Sequence, residues 1–200
     1  MDIIYGTYNP GKYKSMVKRL KGLDINLIPL NSFDRNLEEA DENGKEPLDN
    51  AIAKAQAYYR QLKRPVFSCD SGLFFDNVDE DDQPGVYIKR VKGKTLTDLG
   101  MQSYYSNLAS KYGGRLTAYY KNSICLIIND NIIYKYDGQD INSDKFYIVS
   151  KPHNIFQKGY PLDSLSVNIK TNKYYYDMDE QEYNRSNGFR KFFIRVLKLQ

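Results

Sequence analysis

The segment Asp2-Ile3-Ile4-Tyr5-Gly6-Thr7-Tyr8-Asn9-Pro10-Gly11-Lys12 decides how the rest of the chain is read. Asp2 to Gly6 has the apolar run of a buried strand and ends in a glycine turn. Asn9 has the side chain of a helix cap, and Pro10 stands at the first helical position, where a missing N–H costs nothing. Met16, Val17 and Leu20 then give the helix an apolar stripe, and Gly22 ends it. A second strand follows from Ile25 to Leu30. A strand-helix-strand opening of this length favours a parallel pair joined by a right-handed crossover.

Further along, Leu48, Ile52, Ala55 and Tyr59 recur at helical spacing, so a helix is expected from Pro47 to Leu62, after a polar, acidic loop over 34–46. Pro65 to Ser68 reads as a third strand, followed by an Asp70-Ser71-Gly72 turn and a short strand at Leu73-Phe74-Phe75. A charged turn runs from Asn77 to Gln83, and a third helix from Leu96 to Tyr112. The second half changes character. Arg115 to Ile128 alternates and is rich in β-branched and aromatic residues, and Asn129-Asp130-Asn131 turns it into Ile132 to Tyr136 as a hairpin. Strand-like sequence recurs at Lys145 to Ser150 and Leu165 to Ile169. A last helix is expected from Asp179 to Leu199, with a break near Asn187-Gly188. An α/β first half feeding antiparallel strands implies one mixed sheet in a single domain, residues 1–200, with a cleft between two lobes.

Composition narrows the class. With 200 residues, 41% hydrophobic and 27% charged, the chain can bury a full core and resembles an ordinary soluble domain. No apolar run approaches the ~20 residues of a membrane span, so no membrane association is expected. Cys69 and Cys125 lie in apolar contexts without metal-ligand spacing, in keeping with a reduced, cytoplasmic chain. The net charge of +4 is spread among acidic residues and forms no dense basic stripe, which argues against nucleic acid as a partner. Nineteen tyrosines and no tryptophan, with abundant Lys and Asn, fit the codon usage of an AT-rich genome and carry no function.

Three segments carry chemistry. The first loop, Gly6 to Lys12, brings a helix N-terminus, an amide at Asn9 and a cation at Lys12 to one place, which suits an anion; a plain capped helix is the alternative. Glu42 precedes the second helix, and Asp70 directly follows a buried strand. Two separated carboxylates suit a divalent ion that keeps several waters, or a carboxylate that orients an attacking water; a solvated loop and a turn-stabilising aspartate are the alternatives. Lys54 lies four residues after Asn50 on the second helix and reads equally well as a surface residue. Pro84-Gly85-Val86-Tyr87 reads equally well as a simple loop, with Arg90 solvated. The order of these segments is more telling than any one of them.

In that order the chain resembles the inosine triphosphate pyrophosphatases (Ham1-like), which cleave non-standard purine triphosphates. The matching motifs are Thr7-x-Asn9-x-x-Lys12, Glu42-x-Gly44 with Asp49-Asn50-Ala51-x-x-Lys54-Ala55, Cys69-Asp70-Ser71-Gly72-Leu73, and Pro84-Gly85-x-Tyr87-Ile88-x-Arg90. The resemblance covers roughly residues 1–91 and implies an elongated, two-lobed α/β fold around a long mixed β-sheet with flanking helices and a central nucleotide cleft. It implies a homodimer, Mg²⁺, and hydrolysis of dITP, ITP or XTP to the monophosphate and pyrophosphate. Asp70, Glu42 and Lys12 are then the catalytic set, with Glu42 and Asp70 holding the metal. Thr7, Asn9, Lys12, Lys54, Ser71, Gly72 and Arg90 are the expected nucleotide and phosphate contacts.

The second half departs from the family pattern. Gly159-Tyr160-Pro161-Leu162-Asp163 keeps Gly159 and Asp163 of a base-gripping motif, and Arg185 or Arg190 takes the place of an absent Ser-His-Arg triplet. Asp163 and Arg185 join the candidate nucleotide contacts on that basis. Closer to the chemistry, Cys69 replaces the first of two aspartates, Ser15 a glutamate, and Ile88 a serine. Those replacements keep a second reading open: a catalytically weakened dITP- or ITP-sensing subunit that switches on a partner effector, such as a sirtuin-like NAD-consuming protein, in antiviral defence. His153, the only histidine, lies outside the motifs and reads as a loop residue.

Overall fold

The computed structural model describes residues 1–33, 37–91, 93–179 and 187–199. Its strands are β1 (Asp2–Tyr5), β2 (Asn26–Pro29), β3 (Val66–Phe75), β4 (Arg90–Val91), β5 (Lys94–Thr95), β6 (Arg115–Asn129), β7 (Ile132–Tyr136), β8 (Phe146–Val149) and β9 (Ser166–Asn168). Four α-helices are described: α1 (Pro10–Leu20), α2 (Pro47–Leu62), α3 (Asp98–Lys111) and α4 (Gly188–Leu197). Seven strands form one mixed sheet in the order β2-β1-β3-β6-β8-β9 with β7 on β6, and β4 pairs β5 apart from it. The chain divides into two compact units. One comprises residues 1–71, 121–142 and 186–200, and the other residues 72–120 and 143–185.

In the first unit the opening strand-helix-strand reading holds. β1 pairs in parallel with β2, Ile3 opposite Leu27, and with β3, Ile4 opposite Val66. Strand alternation sends successive residues to opposite faces, and helices cover both. Ile3, Tyr5, Phe67, Cys69, Ile124 and Leu126 pack with Met16 and Leu20 of α1 and with Phe189, Phe192 and Phe193 of α4. Ile4, Val66, Cys125 and Ile127 pack against Ala51, Ala55, Tyr58 and Tyr59 of α2. The small Ala51 and Ala55 let α2 lie close to the sheet. Val17, read as part of the α1 stripe, is instead exposed; Tyr13 packs on the core in its place. The hairpin β6-β7 is antiparallel, with a register shift between Ile127 and Asn129.

The second unit holds the antiparallel pairs β6-β8 and β8-β9, with Leu116 opposite Ile148 and Phe146 opposite Asn168. Its core gathers Leu73, Phe75, Leu116, Ala118, Phe146 and Ile148 under Met101, Tyr105 and Leu108 of α3. Thr97 caps α3, accepting from the Gly100 N–H at 3.1 Å. The small β4-β5 ladder was not expected from the sequence.

One expectation is corrected at the point that matters most. Asp70-Ser71-Gly72 is no turn: β3 runs unbroken from Val66 to Phe75. Gly72 is required by close approach, since a Cβ there would lie 2.8 Å from the Phe74 ring and 3.1 Å from the Gly85 carbonyl oxygen. The expected helix over 179–199 is described as α4 from Gly188 to Leu197; residues 180–186 lie outside the described residues. No described helix is long and apolar enough to cross a membrane.

Candidate active site

The candidate residues that come together all belong to the first unit, and three elements position them. The first is the start of α1. Asn9 has extended backbone geometry, and its side-chain oxygen accepts from the N–H groups of Gly11 at 2.9 Å and Lys12 at 3.1 Å. Thr7 Oγ1 accepts from the Asn9 N–H at 3.2 Å. Asn9 is thus the cap its position predicts, and two of the first-turn donors are satisfied by it. What the loop still offers is the Asn9 Nδ2 group and the Lys12 ammonium, and Lys12 makes no ion pair among the described residues.

The second element is α2 with the loop before it. The Glu46 N–H donates to Asp49 Oδ2 at 3.2 Å and fixes the helix start behind Pro47. Asn50 and Lys54, one turn apart, share the α2 face that looks toward β3. The third element is β3 itself, where the two-residue period places Asp70 on the α2 side and Cys69 on the α1 side.

These three meet in a compact ionic cluster. Lys54 Nζ donates to Asp70 Oδ1 at 2.7 Å and lies 2.8 Å from Glu42 Oε2. Asn50 Nδ2 donates to Asp70 Oδ2 at 3.2 Å. The Asp70 side chain is 9% exposed, Lys54 13% and Glu42 44%, so the cluster is buried at Asp70 and open at Glu42. Desolvation pulls the Lys54 pKa down, but Asp70 and then Glu42 more than offset it, so it sits above the usual lysine value. Lys12 moves the other way. Enclosure among protein atoms, followed by the like charge of Lys54, lowers its pKa against the opposing pull of Asp70 and Glu42. Lys12 is nonetheless exposed to water as a residue, so an incoming anion has access to it.

Cys69 belongs to the core and not to this cluster. Burial pushes its thiol up to about 12, and it lies beside Tyr5 in the core. It is a neutral thiol at neutral pH and supplies no charged ligand. Ser71 is also on the face opposite Asp70, where its Oγ donates to Asn122 Oδ1 at 2.7 Å. Gly72, Arg90 and Asp163 belong to the second unit. There Arg90 lies 5.7 Å over the Tyr87 ring, and Asp163 opens a short 3-10 turn. Arg185 lies outside the described residues. His153 occupies a loop as expected, with Nε2 3.2 Å from Asp177 Oδ1.

Asn50, present in the second motif, was given no role at the site by the sequence reading. The available signal was its position four residues before Lys54, which places both side chains on one helical face.

Taken together, the chain has a mixed-sheet α/β fold and a cluster of two carboxylates with Lys54 near the capped N-terminus of α1. This chain belongs to the Ham1 family, whose model matches residues 3–186. It is 28% identical over 162 residues to the dITP/XTP pyrophosphatase of Bacillus subtilis, covering 80% of this chain and 77% of that protein. With the dITP/XTP pyrophosphatase of Geobacter sulfurreducens it shares 30% identity over 138 residues, 68% of each chain. A solved HAM1 protein from Coxiella burnetii superposes with a TM-score of 0.74 over 99% of this chain and 98% of that one, at 24% identity. The mixed-sheet fold expected from the sequence is thereby confirmed.

Proposed function

We propose that this chain hydrolyses non-standard purine nucleoside triphosphates (dITP, ITP and XTP) to the monophosphate and pyrophosphate. The observation that carries the reading is the Lys54 ammonium held between Asp70 and Glu42, with Lys12 nearby and without an ion pair among the described residues, in a member of the Ham1 family. The names of the Bacillus and Geobacter relatives support the substrate class.

In this reading water attacks the α-phosphorus, the bond from that phosphorus to the bridging oxygen breaks, and pyrophosphate leaves with the bond's electron pair. Asp70 accepts the water's proton or orients the water, while Lys12 and the Asn9 amide hold phosphate oxygens. Positioning and charge neutralisation do most of the work in such a transfer. Lys54 reaches phosphate only by giving up part of its hold on the two carboxylates. Glu42 and Asp70 fit Mg²⁺ chemically: both present hard carboxylate oxygens. Among the described residues no group of three or more His, Cys, Asp or Glu gathers around a common point. Glu42 and Asp70 would supply two carboxylates to an ion that keeps several waters, as Mg²⁺ usually does. When bound, Mg²⁺ would neutralise charge on the phosphates. A homodimer belongs to the same reading.

The deciding experiment incubates the protein with Mg²⁺ and dITP, ITP, XTP, GTP or ATP and measures pyrophosphate and monophosphate. A pocket that pairs a 6-oxo group leaves the adenine amino donor unmatched. A buried unpaired polar group costs about 1–3 kcal/mol, so ITP should be preferred to ATP by roughly ten- to a hundredfold. Indifference to the base would sink the purine-editing reading.

Lys12→Ala should weaken dITP binding about tenfold or more and dIMP binding far less, because a charge-assisted contact to an outer phosphate contributes about 1.5–3 kcal/mol. Equal losses for both ligands in calorimetric titration would mean that Lys12 acts through the fold.

Cys69 favours a second reading. Where the family pattern has an aspartate, this chain has a buried neutral thiol in the α1 core, so the charge next to Asp70 in sequence is missing. A sensor that retains its nucleotide, and signals to a partner effector such as a sirtuin-like NAD-consuming protein in antiviral defence, needs slow turnover. Rapid multiple turnover of dITP in the assay above would exclude it.

A further inference from the structure

We infer that Asn50 is a positioning residue, a latch that ties the Glu42 loop to the Asp70 carboxylate so that the two acidic groups stand in fixed relation. The inference rests on the proposed pyrophosphatase reading and adds to it a residue that touches neither water nor phosphate. Asn50 is 3% exposed and uses both ends of its amide: Oδ1 accepts from the Gly44 N–H at 2.9 Å, and Nδ2 donates to Asp70 Oδ2 at 3.2 Å.

These partners leave the amide one orientation. Gly44 offers only a donor, and an ionised Asp70 offers only acceptors, so a flipped amide would set donor against donor and acceptor against acceptor. Gly44 is the other half of the device. A Cβ at that position would lie 2.5 Å from the Asp49 Cβ and 2.7 Å from Asn50 Oδ1, so only glycine lets the loop come down onto the start of α2. Glu42, two residues earlier, reaches Lys54 from that loop. Lys54 links the same two carboxylates through charge, whereas Asn50 links the loop backbone to Asp70 by direction. Groups that orient a ligand or base from behind typically change activity 10- to 100-fold when removed.

Two substitutions separate the halves of the latch. Asn50→Ala removes both bonds. Asn50→Asp keeps the acceptor for Gly44 but turns the donor facing Asp70 into a second carboxylate oxygen. The readouts are amide hydrogen exchange at Gly44 by NMR, and steady-state pyrophosphate release from dITP with Mg²⁺. The expected result is that Gly44 is protected in the wild type and in Asn50→Asp and exchanges at least tenfold faster in Asn50→Ala. In both variants kcat should fall about 10- to 100-fold, with KM within about threefold of wild type. A Gly44→Ala variant should reproduce the kcat loss with Asn50 intact.

Unchanged Gly44 exchange in Asn50→Ala would overturn the latch, as would an Asn50→Asp enzyme turning over within twofold of wild type. If Asn50→Ala does not fold, Asn50→Asp and Gly44→Ala decide the matter by the same measurements. A wild-type protein that releases no pyrophosphate would overturn the proposed function, and the Gly44 exchange comparison would then judge the latch alone.

Discussion

Asp70→Asn is expected to lower pyrophosphate release from dITP by at least about a hundredfold, the usual range for removing a positioned base or its equivalent being 10²–10⁴. Among the described residues Asp70 is the one carboxylate that the fold both buries and surrounds with donors: Lys54 on Oδ1 and Asn50 on Oδ2. The amide side chain keeps the volume and loses the charge. In one orientation its NH₂ meets the Asn50 NH₂, and in the other the Lys54 ammonium, so a stability loss of about 1–3 kcal/mol is also expected. Binding of dITP should survive or strengthen, because removing a negative charge lessens repulsion with the triphosphate. Stopped assays of pyrophosphate together with a dITP titration separate the effects. A variant near the wild-type rate would reduce Asp70 to an anchor for Lys54.

Lys54→Ala should be the most destabilising change at the site. It leaves Asp70 buried without its cation and Glu42 without its partner. Breaking a buried ion pair from one side typically costs about 3–5 kcal/mol. For a chain of this size that corresponds to a Tm lower by roughly 6–20 °C. The sign of the pH dependence follows from the raised Lys54 pKa. Its contribution is complete below the usual lysine value and is lost as the pH climbs through the higher folded-state value. The gap between wild type and variant should therefore be constant from neutral pH upward and close only in strong alkali. Lys12 has no such partner among the described residues, so Lys12→Ala should leave thermal stability nearly unchanged. If thermal melts showed the two alanine variants equally stable, Lys54 would not hold the carboxylates together in solution.

Each local element was legible because each has a local cause. Pro47 to Leu62 is a helix with the bounds read from its periodicity, and the Asn9 cap with Pro10 behind it starts α1 where expected. The β6-β7 hairpin follows its Asn-Asp-Asn turn. The reading failed at Asp70-Ser71-Gly72, where turn-forming residues stand inside a ten-residue strand. Propensity over three residues was outweighed by the packing of Leu73 and Phe75 on one side and Phe67 and Cys69 on the other.

That failure altered the site. A turn would have left Asp70, Ser71 and Gly72 together around one ligand, but a strand alternates and sends Ser71 to the face opposite Asp70. The same alternation explains Cys69, which stands where the family pattern has an acid but points into the α1 core beside Tyr5. Asn50 was hidden for a related reason. Nothing in a single asparagine announces that its oxygen meets a loop N–H six residues back and its nitrogen a carboxylate twenty residues on.

From the sequence alone came the α/β class, the order of most elements, the family resemblance, and the five residues Asn9, Lys12, Glu42, Lys54 and Asp70. Spacing along a chain specifies such things because helices and strands have fixed periods and motifs have fixed order. Only the tertiary structure decided which of those residues touch. It showed that Lys54 is held by two carboxylates while Lys12 makes no ion pair among the described residues, that the Asn9 oxygen is already occupied by its own helix, and that Cys69 belongs to the core. Pairing across 12 and 16 residues depends on how closely α2 lies on β3, and packing at Ala51, Ala55 and Val66 sets that distance.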